Sequence, residues 1–318
     1  MKTKISFMLL LVGSSAFCQN IKDENTFIPF TNDHRIIKSE RYERENMPIY
    51  TSEYEYNEKG MLTSVKTKYS YKGVWRHLET KEYVYNSNKE EVVCIYKPDV
   101  NALKNTYVSR NIQDNVDATD TLKFEKGKLV YLAQCRIAYG QKFIAQFNYT
   151  YDEDELVNEK KSNYILHTSK EKKLTKKPYN KIITEKKFNY NEGVLQSIIE
   201  LDYNVNRKWH LRWNNNTLEK IDIYNTRNNE EELELEYNCK SENGMLVEVE
   251  TYYFTGNEKR SGQTHSYKYD NNNNLISATT SGDSEGIRIT YEYEKGNGNA
   301  SLFEKRNSIY DYIKPFIK

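Results

Sequence analysis

A short phrase recurs along most of this 318-residue chain: two aromatic residues separated by one position, then Asn, Asp or Gly, then Leu. It is clearest in residues 54–62 and 267–275. Self-similarity at a spacing of about 20–50 residues is typical of repeat architectures, in which each unit buries its apolar side against its neighbours. The copies centre on Tyr56, Tyr85, Phe124, Tyr151, Tyr190, Trp213, Tyr237, Tyr269 and Tyr293.

Each copy of the phrase predicts a strand, a tight turn and a second strand. Glycines at four turns, Gly60, Gly127, Gly193 and Gly244, supply the left-handed backbone that such turns need. The flanking segments alternate apolar and charged residues with period two, as in residues 233–237 and 247–251. Nine hairpins give about eighteen strands. The predicted fold class is therefore all-β, an antiparallel hairpin meander in one large twisted sheet of spiral or open-barrel-like form.

The termini differ from the repeats. Residues 1–18 form a predicted signal peptide, because Lys2 and Lys4 precede a short apolar run and a small-residue segment. Cleavage is expected ahead of Gln19, and lipid attachment at Cys18 is the alternative. The predicted organisation continues with an N-terminal arm or cap at 19–48, a hairpin-repeat domain at 49–300 and a C-terminal cap at 301–318. Export to the periplasm, cell surface or medium follows, with no transmembrane helix.

The phrase resembles the YD repeats of bacterial Rhs proteins and animal teneurins. The resemblance covers most of residues 49–298 and is strongest around Tyr56, Tyr190, Tyr237 and Tyr269. It implies β-hairpins that spiral into a shell, and contact with glycans or cell surfaces. The chain departs from that family in its irregular spacing and in lacking a toxin segment after the repeats. The resemblance carries no catalytic residue with it.

The sequence predicts no enzyme activity, cofactor or metal. Ser284 sits in a Gly-x-Ser-x-Gly segment, but no His follows it, so a hairpin loop is favoured over a nucleophile elbow. Asp114, Asp117 and Asp120 lack the glycine and the bidentate Glu of a calcium loop, and a solvated loop is favoured. The net charge of +1 and the export signal argue against nucleic acid as a partner, even for the Lys-rich segment 160–187.

After removal of the signal peptide three cysteines remain: Cys94, Cys135 and Cys239. An odd number allows at most one intramolecular disulfide. Cys94 and Cys135 lie in strand-like segments, so small buried residues are favoured, and a Cys94–Cys135 bridge stays open as the alternative.

The strongest binding candidate is the segment 208–213. Strand alternation places Trp209 and Trp213 on one face and Arg212 on the other. Two indoles about 13 Å apart along a strand resemble a platform for sugar rings, and Trp75 is a further candidate. The alternative is that these rings belong to the hydrophobic core.

The leading functional hypothesis is a secreted or envelope-associated, non-enzymatic repeat protein that presents its sheet to a cell-surface polysaccharide or an envelope protein. An outer-membrane β-barrel is the first alternative, since about eighteen alternating strands suffice for one. An enzyme is the second alternative, and it requires a pocket of groups with shifted pKa values that the sequence does not display.

Overall fold

The structure is a computed structural model. The structure describes residues 34–43, 48–99, 118–126, 128–138, 141–153, 155–167, 181–202, 206–214, 217–227, 230–243, 245–256, 258–282 and 286–296. Over these ranges every regular element is a β-strand. The same ranges contain no helix long and apolar enough to cross a membrane. The signal peptide, most of the predicted cap at 19–48 and the C-terminal cap at 301–318 lie outside the described residues.

Eighteen strands follow one another along the chain, as the nine-hairpin interpretation predicts. They are β1 (His34–Glu43), β2 (Pro48–Tyr56), β3 (Leu62–Tyr71), β4 (Val74–Tyr85), β5 (Glu91–Pro98), β6 (Thr119–Glu125), β7 (Lys128–Ala138), β8 (Gln141–Asp152), β9 (Glu155–His167), β10 (Lys181–Asn191), β11 (Val194–Asp202), β12 (Asn206–Asn214), β13 (Thr217–Arg227), β14 (Glu230–Glu242), β15 (Met245–Thr255), β16 (Glu258–Tyr269), β17 (Leu275–Ser281) and β18 (Ile287–Lys295).

The sheet is closed. Each strand pairs antiparallel with the strands before and after it in the chain, and β1 also pairs with β18. The result is an eighteen-stranded antiparallel meander barrel. The predicted all-β antiparallel meander is confirmed, whereas the open, spiral form is not observed. The spiral prediction placed β1 in an arm outside the sheet, because residues 34–43 lack the repeat phrase and carry charges on both faces.

Each hairpin formed by an even-numbered strand and the odd-numbered strand after it is one unit, and the turn ends of most units share the same contacts. The aromatic residue near the end of one strand lies opposite the aliphatic residue at the start of the next, as Tyr269 lies opposite Leu275. In seven of nine units the aromatic side chain donates a hydrogen bond to the backbone carbonyl of the aliphatic residue in the preceding unit. These bonds are Tyr56 to Ile36, Tyr85 to Leu62, Tyr151 to Leu129, Tyr190 to Leu156, Trp213 to Leu195, Tyr269 to Leu246 and Tyr293 to Leu275.

The other two units depart from this pattern. Phe124 occupies the aromatic position but has no hydroxyl to donate. In β14 the position opposite Leu246 is held by Ser241. The sequence placed that copy of the phrase at Tyr237, which is therefore wrong by four residues.

The ninth unit is assembled from both ends of the described chain. Tyr293 of β18 lies opposite Ile36 of β1. The Ile36 carbonyl accepts from the hydroxyl of Tyr56 at 2.7 Å, while Tyr293 donates to the Leu275 carbonyl at 2.9 Å. Strand β1 thus supplies the aliphatic half of the last unit, and the barrel closes by this pairing.

The polar residues of the phrase shape the turns. The side-chain oxygen of Asn57 accepts from the backbone of Lys59 and Met61, and Asp270 binds Asn272 and Asn274 in the same way. Such Asx turns explain why Asn or Asp follows the second aromatic. The two-residue turn at Glu192 and Gly193 has positive φ at both positions, 52° and 75°, as a type I′ turn requires.

The two faces of the sheet have opposite character. On one face Trp209 lies opposite Ile223 and Leu211 opposite Ile221, and these side chains are between 0% and 8% exposed. The other face carries ion pairs such as Lys68 with Glu53. The described strands have no covering helix, so the apolar cluster on this face is shielded by the concave side of the ring. On the other face the buried carboxylates of Asp222 and Glu236 are covered by paired basic side chains. We therefore assign the apolar face to the inner wall and the charged face to the outer surface.

Candidate functional site: the inner wall

An apolar belt lines the inner wall at the end where the phrase turns lie. It is built from the aliphatic residues that begin the odd-numbered strands, and six of them are at most 1% exposed: Leu62, Val92, Leu195, Leu218, Leu246 and Leu275. Tyr54 and Leu156 each pack against two of the apolar clusters and Tyr83 packs against three, so these residues join the clusters around the ring. The belt therefore supplies burial for the fold rather than a polar site.

Away from the belt the inner wall carries paired charges among aromatic rings. Arg136 of β7 donates to Asp120 of β6 at 2.6 Å and to the hydroxyl of Tyr96 of β5 at 3.1 Å. The Tyr96 hydroxyl in turn donates to Asp120 at 2.7 Å. The guanidinium lies 4.5 Å from the centre of the Tyr96 ring, and the Lys81 amine lies 5.7 Å from it.

Burial shifts the pKa values of this network. It raises the pKa of Tyr96 well above its usual value and raises that of Cys94 to about 12, and Asp120 adds to both shifts. Burial, the largest single effect, would lower the pKa of Arg136, but the charge and hydrogen bond of Asp120 together with Tyr96 and Cys94 outweigh it, so the pKa of this guanidinium is raised. The network holds its groups as a compensated ion pair beside a neutral phenol and a neutral thiol.

The sequence could not reveal this network, because its members are distant in the chain. Tyr96 precedes Asp120 by 24 residues, and Asp120 precedes Arg136 by 16. Asp120 was predicted to lie in a solvated loop, which is wrong: it is a residue of β6 with 6% exposure. The sequence did contain one signal, because Asp120 is a charged residue at a position where the period-two alternation of β6 predicts an inward side chain. Asp114 and Asp117 lie outside the described residues, as does Ser284.

The structure places Trp209 and Trp213 together on the inner wall, as strand alternation predicted. Trp209 is 8% exposed, and Lys186 lies 5.6 Å from its ring. Trp213 fills the aromatic position of its unit, where its indole nitrogen donates to the Leu195 carbonyl at 2.8 Å. Both rings pack in the hydrophobic core at this part of the wall. Ligand binding by either ring stays a prediction.

Trp75 and Arg212 are not brought to the same place. Trp75 lies on β4, across the ring from β12, and is 43% exposed. Arg212 is on the outer surface, where it donates to Asp222 at 2.6 Å. The four predicted binding residues therefore do not form a single site.

The cysteines do not form the bridge that was left open. Cys94 faces inward with Val92 and Tyr96, whereas Cys135 alternates with the inward Arg136 and faces outward. Both are free and buried, and Cys239 is also free. The favoured interpretation, that the cysteines are small buried residues, holds for Cys94 and Cys135. No cluster of three or more His, Cys, Asp or Glu with metal-binding geometry occurs among the described residues.

Comparison with known proteins leaves the family open. No protein-family model matches the chain, and no curated protein matches it. Among solved structures, a porin-like protein from Bacteroides uniformis aligns with 81% of this chain and 96% of its own, at 12% identity and a TM-score of 0.40. The TcdB2-TccC3-TEV structure aligns with 83% of this chain but 16% of its own, at 12% identity and a TM-score of 0.30. Similarities this low identify neither a family nor a function.

Proposed function

We propose that this protein is an exported, non-enzymatic binding barrel that holds its ligand on the inner wall while its outer surface stays in water. The distribution of side chains carries the proposal: exposed ion pairs face outward, whereas aromatic rings and compensated charges face inward. A ring of eighteen strands is wide enough to leave a lumen. The proposed ligand is an envelope polysaccharide or a segment of an envelope protein.

The outer surface supports a location in water. Lys68 pairs with Glu53 in the middle of β2 and β3, and Lys97 pairs with Glu82 in β4 and β5, with all four side chains at least 39% exposed. A charged side chain on the lipid face of a barrel costs roughly 2–4 kcal/mol at the bilayer midplane. Charged positions recur on strand after strand, so their summed cost opposes insertion.

Native mass spectrometry of the exported protein, purified without detergent, tests this function. Gln134 and Gln146 are a matched pair, because both are half-buried and they lie on adjoining strands with opposite orientation. We expect a bound oligosaccharide or peptide in the wild type, its loss in Gln134→Trp, which crowds the inner wall, and its retention in Gln146→Trp. Loss in the outer variant alone, or no bound molecule in any of the proteins, contradicts the proposal.

An outer-membrane barrel is the second candidate. Closure of an even number of antiparallel strands into a ring favours it, since membrane barrels have this form. Carbonate extraction of cell envelopes separates the two candidates. The binding barrel predicts release of the protein without detergent, and retention in the membrane pellet supports the membrane barrel instead.

A further inference from the structure

One row of the inner wall combines an apolar strip with exposed aromatic surface. Trp209 of β12 lies opposite Ile223 of β13, Ile223 opposite Leu235 of β14, and Leu235 opposite Tyr253 of β15. Three steps between strands separate the two rings by about 14 Å. We call these four residues the strip. Trp209 is buried, but Tyr253 is 48% exposed, so the strip presents one ring face toward the lumen.

Gly262 of β16 holds the Tyr253 ring in this orientation. A β-carbon at Gly262 would overlap the ring and would lie 2.9 Å from its Cδ2 atom. The ring therefore occupies the space beside the glycine backbone that a side chain at this residue would fill. A large aromatic face that is both exposed and fixed in place suits stacking against another flat apolar face.

Two buried polar atoms beside the strip lack partners. Neither the Nε1 of Trp209 nor the Oδ1 of Asn225 has a hydrogen-bond partner among the residues that the structure describes. Both side chains are more than nine-tenths buried, at 8% and 6% exposure. Asn225 follows Ile223 by two residues and thus lies in the next inward row of β13. An unsatisfied donor and an unsatisfied acceptor at one place are costly unless a ligand or water binds them.

Two charged residues next to these atoms pair with each other. Arg207 donates to both carboxylate oxygens of Glu234, at 2.8 and 2.9 Å. The bidentate pair joins β12 to β14 across the strand that carries Asn225. The four residues of the strip and Asn225 carry no charge themselves, and Lys186 is a cation beside them, 5.6 Å from the Trp209 ring. At its surface the strip offers the ring of Tyr253 and part of Leu235, whereas the Trp209 N–H and the Asn225 amide oxygen each expose less than 1 Å², so a ligand reaches them only when the neighbouring side chains move apart.

We propose that the strip, with Asn225, is the subsite where the barrel binds a neutral oligosaccharide. Pyranose rings have apolar faces that stack on Tyr253, and their hydroxyl groups both donate and accept, which satisfies Asn225 and Trp209 together. Because Tyr253 is the exposed end of a buried strip, a hexasaccharide has more units that can stack on this ring than its disaccharide has. This proposal rests on the proposed function, since it names the ligand class of the same inner wall.

Isothermal titration calorimetry on the full mature protein tests the subsite, with maltohexaose, cellohexaose and N-acetylchitohexaose as probes and their disaccharides for comparison. We expect at least one hexasaccharide to bind, and its disaccharide to bind less tightly. Gly262→Ala, which displaces the Tyr253 ring, should weaken that binding about tenfold. Gly286→Ala is the matched control, because a β-carbon at Gly286 lies 3.4 Å from the Thr280 carbonyl oxygen, which is an ordinary contact distance. This variant should bind like the wild type.

Trp209→Phe separates a ligand contact from a structural role. The variant keeps a ring but loses the indole N–H, so binding of the sugar should weaken about 3- to 10-fold. The smaller ring leaves a cavity in the core, so the free protein should lose some stability, but the lost donor has no partner in it and adds nothing to that loss. A Trp209→Phe variant that binds the sugar with wild-type affinity overturns the proposal, and so does a Gly262→Ala variant with wild-type affinity.

The outcome also distinguishes this proposal from the proposed function. If no hexasaccharide binds the wild type, while Gln134→Trp still removes a co-purified molecule, the oligosaccharide subsite is refuted and the binding barrel stands.

Discussion

The bond from an aromatic ring to the carbonyl of the preceding unit makes a testable contribution to stability. Tyr269→Phe removes one such bond, between the Tyr269 hydroxyl and the Leu246 carbonyl at 2.8 Å, and leaves the ring in place. A hydrogen bond of this kind contributes about 0.5–1.5 kcal/mol net, and a carbonyl left buried without a partner adds to the loss. We expect a decrease of about 1–2 kcal/mol in the free energy of unfolding.

Urea denaturation followed by tyrosine and tryptophan fluorescence measures this change. Tyr252→Phe is the matched control, since the Tyr252 hydroxyl bonds to Glu250 at 2.9 Å on the outer surface, where water replaces the lost partner. The control should unfold like the wild type. If Tyr269→Phe is as stable as Tyr252→Phe, the inter-unit bond does not hold neighbouring units together and the reasoning is refuted.

Three further predictions concern the inward network. Asp120→Asn leaves Arg136 as a buried cation without its counter-ion, so stability should fall by about 3–5 kcal/mol in urea titrations. Because burial raises the pKa of Tyr96 and of Cys94, the folded state keeps protons that the unfolded chain releases. Stability should therefore be unaffected by these groups below about pH 9 and decline by about 1.4 kcal/mol per pH unit per group above it. Burial raises the pKa of Cys94 and Cys239 to about 12, so maleimide at neutral pH should label both slowly in the folded protein and rapidly in urea.

A specific experimental result would contradict each of these three predictions. Glu53→Gln, in an exposed pair with Lys68, should cost at most about 1 kcal/mol, and an equal loss in Asp120→Asn would show that its network is not buried. Stability that rises between pH 9 and 11 would contradict the sign of the pKa shifts. Equal labelling rates with and without urea would show that the thiols are accessible.

Local structure was accessible from the sequence. Hairpins were predicted because aromatic residues, turn residues and period-two alternation all point to the same strands and turns. The Asx turn at Asn57 and the positive φ of Gly60, 74°, explain why Asn and Gly occur at these positions of the phrase. The copy at Tyr237 was misplaced because Ser241 stands where the pattern required an aromatic.

Neither the closure of the barrel nor the arrangement of side chains on the inner wall could be predicted from the sequence. Closure depends on β1, whose only trace of the pattern is Ile36, and on a pairing between residues about 250 positions apart. The strip runs at right angles to the chain, so its members come from four strands and share no spacing in sequence. Trp209 was predicted as a binding residue because of its ring, but only the register of the strands shows that Tyr253 and Asn225 lie near it.

The most direct test of the closed barrel is a disulfide between β1 and β18. Lys38 and Glu292 lie opposite each other on the outer surface, with their charged atoms 3.0 Å apart. In the double variant Lys38→Cys/Glu292→Cys, the closed barrel predicts a rapid intramolecular bond, detected by intact mass and peptide mapping. Lys38→Cys/Glu250→Cys, whose second position is on β15, should not form one. Failure of the first pair to bridge, or bridging only between molecules, would contradict the closed ring.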